Sequence, residues 1–155
     1  MRMTVLISDI LLFYVPVIVL LLNFKLNQRI TNIVLMLILC VPGFVLVDHG
    51  HFQYNCVMLG LVLAAYMSII YGHDYIACVL FTAALSTKQM AMYYALAFFS
   101  MLLGKALFSS RMINPANYQF DFKRYNVIEF LTLVFSYAWI VVGVTAVIWL
   151  PWISW

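Results

Sequence analysis

The sequence predicts an all-α fold, a polytopic bundle of about six transmembrane helices. Of its 155 residues 67% are hydrophobic and 8% charged, against roughly a quarter charged in an ordinary soluble domain, so the chain lacks the polar surface to stay in water. Apolar runs also recur along the whole length, separated by short polar connections, as in a multi-span membrane protein. The eight Lys and Arg, which give a net charge of +3, form no basic tract suited to nucleic acid. Cys40, Cys56 and Cys78 are odd in number and embedded in apolar runs, which reads as small buried hydrophobes rather than ligands or disulfide partners.

The first span is expected over residues 4–22, TVLISDILLFYVPVIVLLL, with a kink at Pro16, whose ring removes a backbone donor. Asp9 and Pro16 interrupt the run and no small-residue cleavage site follows, so it reads as a retained span rather than a signal peptide. Asp9 lies near the membrane edge, either buried in the bundle or interfacial. NFKLNQRITN, residues 23–32, is a polar connection carrying Lys25 and Arg29. IVLMLILCVPGFVLV (33–47) is the next run; a helix of that length covers only about 22 Å and must recruit flanking residues or thin the bilayer. CVMLGLVLAAYMSIIY (56–71), YIACVLFTAALS (75–86) and MAMYYALAFFSMLLG (90–104) follow, joined by GHD (72–74) and STKQ (86–89). KALFSSRMINPANYQFDFKRYN, 105–126, is the one extended loop, and VIEFLTLVFSYAWIVVGVTAVIWL (127–150) is the last span before the interfacial tryptophans of PWISW. The chain reads as a single partial transmembrane domain, 1–155.

The basic residues set an orientation. Lys25 and Arg29 lie in one connection, and Lys105, Arg111, Lys123 and Arg124 in another, an even number of crossings later. Both therefore fall on one side, which the positive-inside bias makes cytoplasmic. VDHGHFQYN (47–55) and STKQ then share the opposite, lumenal or extracellular, face.

VDHGHFQYN concentrates Asp48, His49, His51, Gln53 and Asn55 beside an apolar run. Ionisable groups at a membrane are costly to desolvate, so they face a cavity, pair with one another or serve function. Gly50 permits a tight bend between histidines that a regular helix would point some 200° apart. Three readings stand at this point: a polar connection capping free helix ends; a metal site, for which Asp and His are good ligands but no HExxH-type pair or second cluster is present; and recognition of phosphate and sugar hydroxyls by His, Gln, Asn and Tyr donors. Lys88 would add a fixed positive charge on the same face, or simply snorkel to the interface. Met90, Met92, Tyr93, Tyr94, Phe98, Phe99 and Met101 read as packing or lipid contact, with a lipid-tail groove as the alternative.

PGFVLVDHGHFQYNCVMLGL, STKQMAMYYALAFFSMLLGK and MRMTVLISDILLFYVP together resemble the family of endoplasmic-reticulum dolichyl-phosphate-glucose:lipid-linked oligosaccharide α-1,3-glucosyltransferases, over nearly the whole chain. Gly50 is more similar to the enzyme adding the first glucose than to its second-glucose paralogue. The resemblance implies a GT-C-type membrane domain, multi-pass in the endoplasmic reticulum membrane, with its site on the lumenal side. It implies inverting transfer of glucose from dolichyl-phosphate-glucose to a dolichol-linked oligosaccharide, with no cofactor and no metal. Family members are much longer, so the chain reads as a central fragment. The catalytic base is expected in an early lumenal loop that matches no stretch of this chain, which leaves none of its residues catalytic and the isolated chain inactive. Asp48, His49, His51, Gln53, Asn55, Lys88 and Gln89 are expected to shape the substrate site, the last two near the donor phosphate. A rival reading from another class is a non-enzymatic membrane module, a small transporter or assembly subunit. A cavity closed at its base favours the enzyme, and a polar path continuing to GHD favours transport.

Overall fold

The computed structural model describes residues 2–24, 27–43, 46, 48, 50, 53–110 and 126–153, and all of its regular elements are helical. Helices α1 (Arg2–Asp9) and α2 (Val15–Asn23) join through a π-helical turn, Ile10–Tyr14, into one continuous rod. α3 is Gln28–Leu39, α4 Asn55–Ile70, α5 Asp74–Thr87, α6 Ala95–Ser109 and α7 Val127–Ile153, and a 3-10 segment, Gln89–Tyr94, leads into α6. Among the described residues, the rods Met3–Asn23, Gln89–Ser109 and Val127–Trp152 are long and apolar enough to cross a membrane, while α3, α4 and α5 are apolar but shorter.

The irregularity in the first rod has a sequence cause. Pro16 has no N–H to offer the carbonyl of Leu12 one turn back, and the chain widens into the π turn just before it. There the rod meets α4 at Gly60. A β-carbon on Gly60 would fall 1.8 Å from the Leu12 carbonyl oxygen and 2.8 Å from Phe13 Cα, so the two backbones touch directly, as small residues allow between membrane helices. Around this contact Phe13, Val17 and Leu21 pack with Cys56, backed by Val34, Leu35 and Ile38 of α3.

The larger core joins α4, α5 and α6. Met58, Val62, Ala65 and Ile69 meet Ala77, Cys78, Phe81 and Ala84, and Phe98 and Leu102 close the cluster. Fully buried Ala65, Ala77 and Ala84 bring α4 and α5 close, and the rings of Phe81 and Phe98 stack at 4.1 Å, 7° from parallel. Of the aromatic and methionine-rich segment, Phe98 is therefore core, whereas Met92 and Tyr93 are exposed. α7 packs on α5 and α6 and has no buried residue.

Several boundaries differ from the sequence reading. α3 starts at Gln28, inside the expected 23–32 connection, and ends at Leu39, short of Pro42. Its polar residues Gln28, Arg29 and Asn32 occupy exposed positions that cost a helix nothing. α6 runs on to Ser109, so Lys105 is helical rather than the first residue of a 105–126 loop. Its ammonium is drawn into an ion pair with Asp74 across the helices, at 2.5 Å, and also donates to the Ile69 carbonyl. Tyr137 of α7 donates to the other oxygen of Asp74 at 3.4 Å. This clasp holds the α4–α5 turn, where Gly72 has φ 85°, against α6 and α7.

Candidate functional site

The polar motif and the STKQ segment meet at one end of the bundle. α4 begins at Asn55 and α5 ends at Thr87. Because the two helices form an antiparallel hairpin, the start of one lies beside the end of the other, with Lys88 in extended conformation (φ −156°, ψ 134°) just beyond α5.

Asp48 is 0% exposed. One carboxylate oxygen accepts the Asn55 side-chain N–H at 2.7 Å, and the other accepts the Cys56 backbone N–H at 2.6 Å. The second bond satisfies a donor that the helix itself leaves free in its first turn, and it places negative charge at the positive end of α4. Tyr54, at the capping position, makes no such bond. Asp48 thus caps α4 from outside the helix, so the helix-end reading of the motif describes this residue correctly.

Asn55 works in both directions. Its amide N–H groups face Asp48 and, at 3.3 Å, Gln53, while its carbonyl accepts from the Lys88 ammonium. Lys88 also donates to the Gln53 carbonyl at 3.1 Å. Four of the expected site residues, Asp48, Gln53, Asn55 and Lys88, therefore form one hydrogen-bonded chain. Among the described residues Lys88 meets two neutral amide oxygens rather than a carboxylate, and an ammonium has three donors. Gln89 is exposed at the start of the 3-10 segment and takes no part in this chain. His49 and His51 lie outside the described residues. A β-carbon at Gly50 would meet nothing within 4 Å among the described residues, and the bend expected between His49 and His51 lies outside them.

Two further groups belong to this region. Asp9, left between two readings by the sequence, is buried, at 1% exposure, and Cys56 is 2% exposed. Ligand atoms of Asp9, Asp48 and Cys56 all lie within 4.8 Å of one another. Sequence reasoning placed Cys56 simply among the buried hydrophobes. Its place in the first turn of α4, one turn before Gly60, brings it to Asp9 only through the contact between α4 and the first rod, which no local sequence pattern signals.

Beside the chain is a cavity of about 280 Å³ with Asn55 and Gly43 at one side and Met58, Leu59, Met90, Tyr93 and Tyr94 as the rest of its wall. Asn55 gives its wall a polar group, and Met58 and Leu59, one turn further along α4, make the adjoining wall apolar. The Asp74–Lys105 clasp lies at the opposite end of α5, and the core of Met58, Val62, Ala65, Cys78 and Phe81 separates the two. Among the described residues no polar path joins them.

A strongly apolar chain whose described elements are all helical, three of them rods of membrane-crossing length, with a buried carboxylate, paired amides and an ammonium gathered at one end of its helices, has the make-up of a membrane-embedded protein. The chain belongs to the ALG6, ALG8 glycosyltransferase family, whose model matches residues 1–155. It is similar to the probable dolichyl pyrophosphate Man9GlcNAc2 alpha-1,3-glucosyltransferase of Arabidopsis thaliana, 43% identical over 112 residues, covering 69% of this chain and 21% of the relative. The protein of that name from Drosophila melanogaster is 32% identical over 158 residues, covering 99% of this chain and 30% of the relative. The dolichyl pyrophosphate Man9GlcNAc2 alpha-1,3-glucosyltransferase of Saccharomyces cerevisiae is 39% identical over 138 residues, covering 86% and 24%. The chain thus spans between 21% and 30% of the length of these relatives.

Proposed function

We propose that this chain is part of a multi-pass α-1,3-glucosyltransferase of the endoplasmic reticulum membrane, of GT-C type, that moves glucose from dolichyl-phosphate-glucose to a dolichol-linked high-mannose oligosaccharide. In this reading the helices make about six crossings, the ends at 23–32 and 105–126 are cytoplasmic, and the motifs at 47–55 and 86–89 form part of the lumenal substrate site. Asp48, His49, His51, Gln53, Asn55, Lys88 and Gln89 are its residues. A segment outside these 155 residues supplies the base.

The observation that carries the proposal is the Lys88 environment. Dolichyl phosphate leaves as a stable anion, so the protein's tasks are to position both substrates and to stabilise developing negative charge. Among the described residues the partners of the Lys88 ammonium are the amide oxygens of Gln53 and Asn55 rather than a carboxylate, which leaves one of its three N–H donors for a phosphate oxygen. Asn55 separates it from Asp48, which would otherwise neutralise it. The apolar core between the two polar ends favours this site over a transport path.

The test is glucose transfer in microsomes by the full-length protein carrying this chain, with labelled dolichyl-phosphate-glucose as donor. Lys88→Met should raise the KM for donor and lower kcat, with Lys88→Arg retaining part of both. Unchanged donor kinetics in Lys88→Met would remove Lys88 from the site.

A further inference from the structure

Between α5, α6 and α7 lies a slot of about 390 Å³ whose walls include Phe81, Leu85, Phe98, Leu102, Val141 and Val142. Its polar side chains are already engaged: the Thr82 hydroxyl donates to the Cys78 carbonyl at 2.7 Å, and the Tyr137 hydroxyl is turned to Asp74. Apolar cavities of this kind do not take up water, and an empty one forfeits the dispersion contacts of its lining. α6 and α7 belong to rods of membrane-crossing length, so hydrocarbon surrounds the slot.

Tyr137 is shared between the slot and a second cavity of about 340 Å³, lined also by His73, Asp74, Tyr75, Lys105 and Ser109. One helical turn separates Cys78 from Asp74 on α5, and less than a turn separates Leu102 from Lys105 on α6. The two cavities form one amphipathic seam, with hydrocarbon at mid-helix and polar groups at the end away from Lys88. Among the described residues the Lys105 ammonium gives two donors, to Asp74 and the Ile69 carbonyl, and has a third available in the cavity it lines with Ser109 and His73.

We infer that this seam is a binding site for one glycerophospholipid of the bilayer, its phosphate headgroup at Lys105, Ser109 and His73 and an acyl chain in the slot between α5, α6 and α7. The rival hydrocarbon is the isoprenoid tail of the proposed donor. The donor's phosphate belongs at Lys88, and neither cavity of the seam has a lining residue in the Lys88, Gln53, Asn55 cluster. The cavity that does reach Asn55 is walled by Met58, Met90 and Tyr93, none of which lines the slot. The inference rests on the membrane placement of the helices and not on glycosyl transfer.

The full-length protein, reconstituted in phosphatidylcholine nanodiscs with a phosphatidylcholine bearing a mid-chain diazirine, provides the test. Photolabelling should map to peptides of α5, α6 and α7 that line the slot and persist when polyisoprenyl phosphate is added in excess. Ala138→Trp or Ala95→Phe, each adding bulk to a small residue of the slot wall, should abolish that labelling while leaving label elsewhere unchanged. Native mass spectrometry of the same variants should show the loss of one retained phospholipid. Displacement of the label by polyisoprenyl phosphate would give the slot to the donor's tail and overturn the proposal. Absence of label from the slot in the unaltered protein would overturn it as well, showing that another segment fills the space.

Discussion

Gly60→Ala should be among the most damaging single-methyl additions in this chain. The new carbon would stand 1.8 Å from the Leu12 carbonyl oxygen, 2.6 Å from its carbon and 2.8 Å from Phe13 Cα. Ordinary contacts lie near 3.5 to 4.0 Å, so the first rod and α4 must separate by roughly 1.5 to 2 Å, and the obstacle is helical backbone, which cannot swing aside as a side chain does. Helix propensity alone would favour alanine by up to about 1 kcal/mol, and overpacking costs about 1 to 3 kcal/mol, occasionally more. With backbone as the obstacle the cost falls at the upper end of that range, and after the gain in propensity the expected net effect is a loss of about 2 kcal/mol at this contact. Asp9 and Cys56 lie one turn toward the site end of the same two helices, so the same displacement pulls Asp9 away from Cys56 and from Asp48, which caps α4. The assay is a thermal melt of the detergent-solubilised full-length protein together with its transfer rate. Gly143→Ala is the control, since a β-carbon there meets nothing within 4 Å, and it should be neutral or slightly stabilising. Equal melting of the two variants would refute the close-contact reasoning.

Three other outcomes follow from the same geometry. Asp48→Ala leaves the Cys56 N–H without its buried acceptor, so it should cost about 1 to 3 kcal/mol and reduce transfer; a melt and rate equal to the unaltered protein would show that the cap contributes nothing. Asn55→Leu removes the separator between Lys88 and Asp48, and donor KM should rise in this variant even at temperatures where it remains fully folded by circular dichroism. Asp74→Asn should weaken the clasp of α5 to α6 and α7 by about 1 kcal/mol, nearer the exposed than the buried range for ion pairs because Lys105 is 36% exposed; the Asp74→Lys, Lys105→Asp double exchange should recover part of the melting temperature lost by either single exchange.

Apolar run length and the punctuation by GHD and STKQ made the helices legible in the sequence, and α4 and α5 begin and end within one residue of their expected bounds. Polar residues near helix ends misled it: Gln28 to Asn32 and Lys105 look like loop, yet the first group sits on an exposed helix face and Lys105 has a carboxylate to reach. The grouping of Asp48, Gln53 and Asn55 with Lys88 was accessible because an even number of helices returns the chain to the same end. What local pattern could not reveal was a contact between backbones. Nothing near Gly60 announces that Leu12 lies against it, because that proximity depends on a π turn caused by Pro16, forty-four positions away in the sequence.

The Asp74–Lys105 clasp also bears on how the chain enters the bilayer. α5 has fourteen residues, about 21 Å of helix, and starts with an aspartate whose transfer into hydrocarbon costs up to about 2.5 to 3.5 kcal/mol. In the proposed arrangement, where α4 and α5 both cross the membrane, it is a poor insertion signal by itself and goes in together with α4 as a hairpin. Its counter-ion arrives only when α6 has been synthesised, so between those moments Asp74 is a temporary liability that membrane quality-control factors can read. Lys105→Met should prolong that interval indefinitely and shorten the protein's cellular half-life; a half-life equal to that of the unaltered protein would show that the pairing has no part in biogenesis.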